Sequence, residues 1–289
     1  MLQRDVEPTT LKESFNSTKI KKQIELERLF NKNQLIPRLR REFSTCKTFD
    51  FNQAIQDVGV PLEFGLDLLT QMALHKRTTL PTLIGILKHH FSARPNAAQI
   101  TADMLLKAAE ADMIDWDPFK EQFIVKFTVS AEVQEELNRY QYPLPMVIEP
   151  KPATKNTDTG YILGGGSLLL RKNHHNDDIC LDHINRLNKV RFAIDQNVVR
   201  MVANKWRNLD KAKPGETADE FQRRRKAFEK YDKSSKEVIK ILGEDASAFY
   251  LTHKYDKRGR SYCQGYHVNY QGAPWNKAVI HLADKELTE

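Results

Sequence analysis

The chain has 289 residues, 40% of them hydrophobic, which is enough to bury the core of one large domain or two ordinary ones. Its three cysteines, Cys46, Cys180 and Cys263, are far apart and show no CxxC spacing, which argues against a disulfide framework or a zinc ribbon. No apolar run is long enough to span a bilayer, and the N-terminus lacks the pattern of a signal peptide. We therefore expect a cytoplasmic protein with no membrane partner.

The formal net charge of +7 is concentrated in one region. Residues 186–260 contain 20 Lys and Arg against 11 Asp and Glu, a net of +9, so the remaining residues sum to −2. A concentrated positive charge favours a polyanion as partner, because neutralising phosphates releases their counterions. The alternative is a basic face that is only solvated.

Apolar residues at intervals of three and four predict four helices in the first part of the chain, at 11–34, 61–75, 79–91 and 97–111. Two short runs rich in β-forming residues, 113–116 and 123–129, predict a hairpin. Three helices followed by a hairpin is the order of a winged helix, a DNA-binding domain in which Lys88, His89 and Arg94 would lie near the groove.

The local charge disfavours that alternative, because acidic and basic residues roughly balance between 61 and 129. We therefore interpret this region as a small helical packing domain. A further short helix is expected at 131–140. The next stretch is rich in proline and then contains Gly164, Gly165 and Gly166, which predicts an extended crossing between domains. These glycines lack the frame of a phosphate-binding loop.

Helical periodicity returns at 182–202 and again at 218–249, with a turn expected at Lys213, Pro214 and Gly215. The two helices would form a helical hairpin. Basic residues recur at spacings of three and four along the second helix and predict a surface that meets phosphates: Arg223, Arg224, Arg225, Lys226, Lys230, Lys233, Lys236 and Lys240.

The segment from 251 onward combines basic residues, glycines and aromatic rings. Arginine forks grip phosphates, and rings stack on bases or sugars. A glycine between two arginines lets the backbone approach a phosphate chain. On these grounds alone, a solvated turn stays open as the alternative. The candidate nucleic-acid-binding residues are Asp256, Arg258, Gly259, Arg260, Tyr262, Gln271, Gly272 and Lys277, together with Arg223, Arg224, Lys226 and Lys230 of the preceding helix.

The sequence DKRGRSY, followed by QG and a lysine, resembles the Asp/Thr-x-x-Gly-Arg segment of the single-subunit RNA polymerases of phages and mitochondria. The matching positions are Asp256, Gly259, Arg260, Tyr262 and Lys277. In that family the segment opens the palm and contacts the template and the RNA:DNA hybrid. The resemblance implies that Arg258, Arg260 and Lys277 position template and RNA, and that Tyr262 packs near a base or the initiating nucleotide.

Two upstream segments resemble the same family. The segment INRLNKVRFAI is similar to the first thumb helix, of the form IN-x-x-Q-x-x-x-W-x-IN, through Ile184, Asn185 and Ile194. It departs from the pattern where Asn188, Phe192 and Asp195 replace Gln, Trp and Asn. The proline- and glycine-rich stretch before it resembles the crossing that leads into the thumb. The resemblance covers about 143–289 and implies that the predicted hairpin is a thumb that holds the nascent hybrid.

Nucleotidyl transfer in this family uses two Mg²⁺ ions held by two aspartates, in a DG-x-x-x-G-x-Q motif and an HD-S/A motif. No Asp-Gly and no His-Asp dipeptide occurs in the sequence. We therefore expect no catalytic residue here, and Mg²⁺ bound instead by a second polymerase subunit that carries palm aspartates and fingers. The resemblance implies a split, heterodimeric phage enzyme in the host cytoplasm, with DNA template, nascent RNA and nucleoside triphosphates as its other partners.

The predicted fold class is mainly α with small β elements: a helical N-terminal domain, a helical-hairpin thumb and the first part of a palm that another chain completes. The predicted segments are an N-terminal helix or arm, a helical domain, the crossing, the thumb and the start of the palm, at 1–45, 46–142, 143–176, 177–250 and 251–289.

Two further interpretations rank lower. A protein that coats or packages nucleic acid would show salt-sensitive binding without a catalytic partner. A metal site could be drawn from His174, His175, Cys180 and His183, but their spacing is not that of a zinc site. His89 and His90 are interpreted as a surface pair on a helix rather than as ligands.

Overall fold

The computed structural model describes residues 8–164, 166–206, 209–245 and 248–285, without the side chains of 8–16, 244 and 245. Helices dominate and strands are short, which confirms the prediction of a mainly α fold with small β elements. No helix in these ranges is both long enough and apolar enough to cross a membrane. Gly165 of the predicted triple glycine lies outside the described residues, as do the last four positions of the predicted palm segment.

The described α-helices are α1 (Pro8–Phe30), α2 (Ile36–Ser44), α3 (Phe51–Asp57), α4 (Leu62–His75), α5 (Leu80–Leu87), α6 (Ala97–Glu110), α7 (Ala131–Asn138), α8 (Leu181–Asn188), α9 (Gln196–Met201), α10 (Ala218–Asp245) and α11 (Pro274–Val279). The strands are β1 (Arg77–Thr79), β2 (Asp115–Asp117), β3 (Gln122–Ile124), β4 (Phe192–Ile194), β5 (His253–Tyr255), β6 (Ser261–Cys263) and β7 (Ile280–Leu282). Short 3₁₀ helices occupy Lys32–Leu35 and Lys88–Phe91.

The chain divides into two compact units. We call 31–141 the helical unit, and 1–30 together with 142–289 the mixed unit. The limit at 141–142 lies where the predicted helical domain ends. The helix α1, which the sequence assigns to a segment of its own, groups with the later part of the chain.

Within the helical unit, α2 and α3 are followed by α4, β1, α5, α6, β2 and β3, an order that matches a winged helix, and then by α7. Its three strands form one antiparallel sheet in the order β1-β3-β2, in which Phe123 lies between Thr78 and Trp116. The predicted helices at 61–75 and 97–111 and the predicted hairpin are confirmed. The strand β1 is not predicted by the sequence, since three residues are too short to show an alternating pattern.

One apolar core holds the helical unit together. Leu39, Ile55, Phe64, Leu83 and Leu105 are fully buried and come from five successive helices. The helices α3 and α4 approach closely because Gly65 has no side chain. A Cβ atom there would lie 2.5 Å from a methyl group of Ile55, closer than packed atoms can come.

The continuous helix predicted at 182–202 is wrong, and with it the hairpin of two long helices. The structure breaks this stretch into α8, β4 and α9. Two interactions explain the break. Phe192 exchanges backbone hydrogen bonds with Phe249, each N–O distance being 2.8 Å, and β4 pairs with β7. The carboxylate of Asp195 accepts hydrogen bonds from the backbone N–H groups of Asn197 and Val198, which starts a new helix.

The second predicted helix is confirmed as α10, although its described part ends at Asp245. Phe249 and Tyr250 are extended instead, and Tyr250 bridges to Met146 of the crossing. The predicted turn before α10 is also present. Gly215 has φ +78°, and the N–H of Glu216 donates to the carbonyl of Lys213 at 3.0 Å.

The helix α1 is tied to the crossing by two buried side chains. The side-chain oxygen of Gln23 accepts a hydrogen bond from the backbone N–H of Val147 at 2.8 Å. The carboxylate of Glu27 accepts from the backbone N–H groups of Ile162 and Leu163 at 2.8 and 2.7 Å. Irregular backbone needs such partners when it is buried. The predicted crossing contains no helix among its described residues, as expected.

Candidate nucleic-acid interface

The Asp256 carboxylate organises the turn between β5 and β6. It accepts hydrogen bonds from the backbone N–H groups of Arg258 and Arg260 at 2.9 and 3.1 Å. It also accepts from Nε and Nη2 of Arg260 at 2.7 and 2.6 Å and from the hydroxyl of Tyr262 at 3.2 Å. Asp256 is only 7% exposed. A predicted nucleic-acid-binding residue therefore lies inside the turn and shapes it.

The turn also needs a glycine at its fourth position. The backbone N–H of Asp256 donates to the carbonyl of Arg260, and that of Gly259 donates to the carbonyl of Asp256, both at 3.0 Å. Gly259 has φ +78° in this turn, a conformation that residues with a Cβ atom rarely adopt. Space is not the reason for a glycine, because a Cβ atom there would meet nothing within 4 Å.

The basic side chains of the turn face outward. Those of Arg258 and Arg260 are 66% and 54% exposed, and the guanidinium of Arg260 lies 5.7 Å from the ring centre of Tyr262. Burial alone would raise the pKa of Asp256, but the hydrogen bonds from Arg260 and Tyr262 outweigh it and hold that pKa below its ordinary value. Asp256 therefore stays ionised, and with Lys257 and the two arginines the turn carries a net charge of +2.

Residues that follow β6 in the chain stabilise the β5–β6 hairpin. The side chain of Gln271 accepts from the backbone N–H of Cys263 at 2.7 Å and donates to the carbonyl of Ser261 at 3.3 Å. Gly272 allows close packing, because a Cβ atom there would lie 2.9 Å from the carbonyl oxygen of Asn269. Gln271 and Gly272 thus support the hairpin, whereas Lys277 on α11 is exposed and available to a ligand.

The helix α10 carries a basic stripe, which we define as Arg223, Lys226, Lys230 and Lys233. All four are exposed, and their spacings of three and four residues place them on one side of the helix. Three of the predicted nucleic-acid-binding residues therefore share a face. The opposite side is buried through Tyr231, Ser235, Val238, Ile239 and Leu242.

The buried side of α10 packs against the segment 266–276, which follows the β5–β6 hairpin. The hydroxyl of Tyr231 accepts a hydrogen bond from Asn276 at 2.7 Å. The ring of Tyr231 packs edge-to-face on Tyr266 at 5.0 Å and stacks on His267 at 5.7 Å. The basic stripe and the 256–260 turn are thus linked through a single packed layer.

Arg224 is directed elsewhere. Its guanidinium donates to the Glu216 carboxylate through Nε at 2.8 Å and Nη2 at 2.7 Å, and it also donates to the carbonyl of Lys211. The hydrogen bonds from Arg224 and from the backbone of Lys213 lower the pKa of Glu216 to about 2. Although Arg224 is among the predicted nucleic-acid-binding residues, its side chain fastens the turn at 211–216 to the first part of α10.

A buried polar chain lies behind β5. Nδ1 of His253 lies 2.9 Å from the amide oxygen of Asn188, and its Nε2 lies 2.9 Å from the hydroxyl of Tyr270. Since an amide oxygen only accepts, Nδ1 donates, and Nε2 accepts from Tyr270. Burial lowers the pKa of His253 to about 4, so the ring is neutral. The chain fixes α8 to the strand that leads into the turn.

Neither His253 nor Tyr270 is among the nucleic-acid-binding residues predicted from the sequence, although Tyr270 is one of the aromatic residues of that segment. One sequence feature could have pointed to these buried polar contacts. Asn185 and Asn188 are two polar residues within one turn of an amphipathic helix. Asn185 holds the crossing through both backbone groups of Ala153, at 2.8 and 3.0 Å. The two asparagines therefore connect the crossing and the turn to the same short helix.

The possible metal site at His174, His175, Cys180 and His183 does not form. Among the described residues, the ligand atoms of these side chains do not converge, in keeping with their irregular spacing. Nδ1 of His175 lies 3.8 Å from the carboxylate of Asp177, beyond hydrogen-bonding distance.

Comparison of the chain with protein-family models and with curated proteins found no match.

Proposed function

We propose that this chain supplies part of the nucleic-acid path of a DNA-directed RNA polymerase whose catalytic aspartates lie on a second polypeptide. The observation that carries the proposal is the 256–260 turn. A buried carboxylate there fixes the backbone on both sides of a glycine, so that Arg258 and Arg260 project outward from a set position. Arginines whose backbone is fixed in this way suit phosphates, because the planar guanidinium can donate two parallel hydrogen bonds to phosphate oxygens.

The basic stripe on α10 adds a second contact of suitable length. Ten residues separate Arg223 from Lys233, which corresponds to about 15 Å along a helix. One nucleic-acid strand presents a phosphate about every 3.4 Å of duplex axis, so roughly four phosphates fall within this length. The four side chains of the basic stripe could bind four phosphates of one strand. Such contacts would hold an RNA:DNA hybrid independently of its base sequence.

The residues of the turn do not suit Mg²⁺. Both oxygens of Asp256 accept hydrogen bonds, and Arg260 neutralises its charge. The two Mg²⁺ ions of nucleotidyl transfer stabilise the attacking and leaving oxygens, and this requires carboxylates that are free to bind metal. The proposal accordingly places the ions and their aspartates on the partner chain and gives the present chain the task of holding template and RNA.

The binding part of the proposal can be tested without a partner. The full chain is titrated against a fluorescent RNA:DNA hybrid over a range of salt concentrations. Replacing the four basic-stripe residues with glutamine should flatten the plot of log affinity against log salt by about 3, because each lost phosphate contact removes roughly 0.7–0.9 from its slope. An unchanged slope would contradict the proposal.

A matched control also tests the second candidate, duplex DNA binding by the helical unit. The winged-helix topology of that unit favours this candidate, whereas its charge does not, since 61–129 contains 7 basic and 8 acidic residues. The control replaces four exposed cations there, Lys88, Arg94, Lys107 and Lys120, with glutamine. It should leave the slope unchanged. Loss of slope in the control alone would favour the second candidate.

The catalytic part of the proposal requires the partner. A chain bearing the Asp-Gly and His-Asp motifs would be co-purified with this one and supplied with Mg²⁺, nucleoside triphosphates and a hybrid scaffold. Extension of the RNA should depend on both chains and should fall when Arg260 and Lys277 are replaced with alanine. Extension that is indifferent to both replacements would rule the proposal out.

A further inference from the structure

Three side chains capable of binding metal converge within the helical unit. The ligand atoms of Asp67 on α4 and of His89 and His90 in the 3₁₀ helix Lys88–Phe91 all lie within 4.8 Å of one another. Nε2 of His90 is 2.9 Å from Oδ2 of Asp67, and the rings of His89 and His90 lie 4.2 Å apart. The interpretation of this pair as a simple surface pair is therefore incomplete, because His90 is turned inward onto α4.

The contacts around the histidines prepare them to bind a cation. Nδ1 of His89 lies 2.8 Å from the carbonyl oxygen of Ile86, and a carbonyl only accepts, so Nδ1 carries the proton. This tautomer places the lone pair on Nε2, and a ring N–H fixed by a backbone carbonyl is typical of metal-binding histidines. The ring of His90 is held edge-to-face against the buried ring of Phe64 at 5.7 Å.

The carboxylate is also oriented from behind. Nη1 of Arg40 donates to Oδ1 of Asp67 at 2.5 Å, which leaves Oδ2 to face the histidines. Arg40 pairs with Glu63 as well, so the formal charges of Arg40, Glu63 and Asp67 sum to −1. The arginine therefore fixes the carboxylate without making the surroundings of the two histidines positive.

We propose that Asp67, His89 and His90 bind a divalent transition-metal ion, of which Zn²⁺ suits the ligand set best. Two imidazole nitrogens and one carboxylate oxygen form a three-ligand zinc site, with water in the fourth position. Ligand atoms of a tetrahedral zinc ion lie roughly 3.3 Å apart, so His90 and Asp67 must separate by about 0.4 Å, and His89 must approach them by up to about 1.5 Å. The ion replaces the proton between Nε2 of His90 and Oδ2 of Asp67, and the neutral ring carries its proton on Nδ1 instead.

Binding would fasten the segment between α5 and α6 to α4. His89 and His90 begin that segment, and α6 occupies the position of the third helix in the winged-helix order. A bound ion would therefore restrict how α6 is presented. This inference does not depend on the polymerase proposal, because all the residues involved lie in the helical unit, whereas the turn and the basic stripe lie in the mixed unit.

The test uses the full chain, freed of metal and titrated with Co²⁺, whose visible absorption reports tetrahedral coordination, followed by displacement with Zn²⁺. One ion per chain is expected. His89→Ala should weaken binding at least about 100-fold, since loss of even an outer-shell partner costs 10- to 100-fold. His89 is exposed, so this variant should fold normally, as circular dichroism would verify.

His174→Ala serves as the matched control, because His174 is a histidine of the other histidine-rich segment and takes no part in the proposed site. It should bind Co²⁺ like the unmodified chain. The inference fails if His89→Ala, or the double variant His89→Ala with His90→Gln, retains unmodified affinity. It fails equally if the control abolishes binding, or if no tetrahedral Co²⁺ spectrum appears.

Discussion

Replacing Gly259 with alanine separates the geometry of the 256–260 turn from the stability of the chain. Gly259 has φ +78° and open space around its missing Cβ, so the substitution introduces backbone strain without a clash. The left-handed conformation costs a residue with a Cβ roughly 1–2 kcal/mol. Alanine lowers the conformational entropy of the unfolded chain relative to glycine, and this raises the free energy of unfolding by about 0.4–1 kcal/mol. The expected net loss in free energy of unfolding is about 1 kcal/mol.

Gly215 offers a matched control. It also has φ +78°, and a Cβ atom there would likewise meet nothing within 4 Å. Gly215→Ala should therefore lose the same free energy of unfolding in urea. Affinity for an RNA:DNA hybrid should differ, because only Gly259 lies between Arg258 and Arg260. Relaxation of the strained turn would move both arginines and weaken binding.

The two measurements together separate a role in binding from a role in folding. Equal losses of stability, with weaker hybrid binding in Gly259→Ala alone, would support a turn whose geometry serves nucleic acid. The reasoning is refuted if Gly215→Ala weakens hybrid binding as much as Gly259→Ala does. It is also refuted if Gly259→Ala is as stable as the unmodified chain, since the strain would then be absent.

Two further predictions concern stability. Burial lowers the pKa of His253 from 6.5 to about 4, so its contribution to stability is complete above pH 6.5 and is lost as the pH falls towards 4. That loss should reach about 3 kcal/mol at roughly 1.36 kcal/mol per pKa unit, and urea unfolding of His253→Gln should show a flatter pH dependence over this interval. Leu83→Ala should cost about 2–5 kcal/mol, because Leu83 is fully buried, whereas Leu106→Ala, at a half-exposed position, should stay within about 0.5 kcal/mol. A similar cost for both leucines would contradict the assignment of the core.

Helices are predictable from this sequence where one strong pattern acts alone. The helices α4 and α6 follow apolar spacing closely, and α10 opposes a basic face to an apolar one. The prediction fails at 182–202, where the apolar spacing continues across Phe192–Ile194. That stretch is extended because its partners, Phe249 and Ile280–Leu282, lie far along the chain, and local periodicity contains no information about them.

The candidate site is predictable in composition and less so in arrangement. The sequence predicts that basic residues of a glycine-containing segment are accessible to a ligand. Arg258, Arg260 and Lys277 are exposed, as this prediction requires. Asp256 and Arg224 belong to the same sequence patterns, but internal hydrogen bonds occupy them away from solvent. Arg260 is half-exposed and also donates to Asp256. Residue type and spacing show that a charge is present. Residue type and spacing do not show whether that charge already forms an ion pair within the protein.

The pairing of β4 with β7 has a consequence for how this part of the chain is made. The two short strands enclose 195–279, a stretch that contains α10 and the 256–260 turn. During synthesis β4 leaves the ribosome long before β7, so the enclosed helix and turn can form while the loop is still open. Contacts between such distant residues are slow to form, because the entropy of closing the loop must be overcome first. We expect the β4–β7 ribbon to be among the last elements of this unit to fold, closing over a helix and turn already in place.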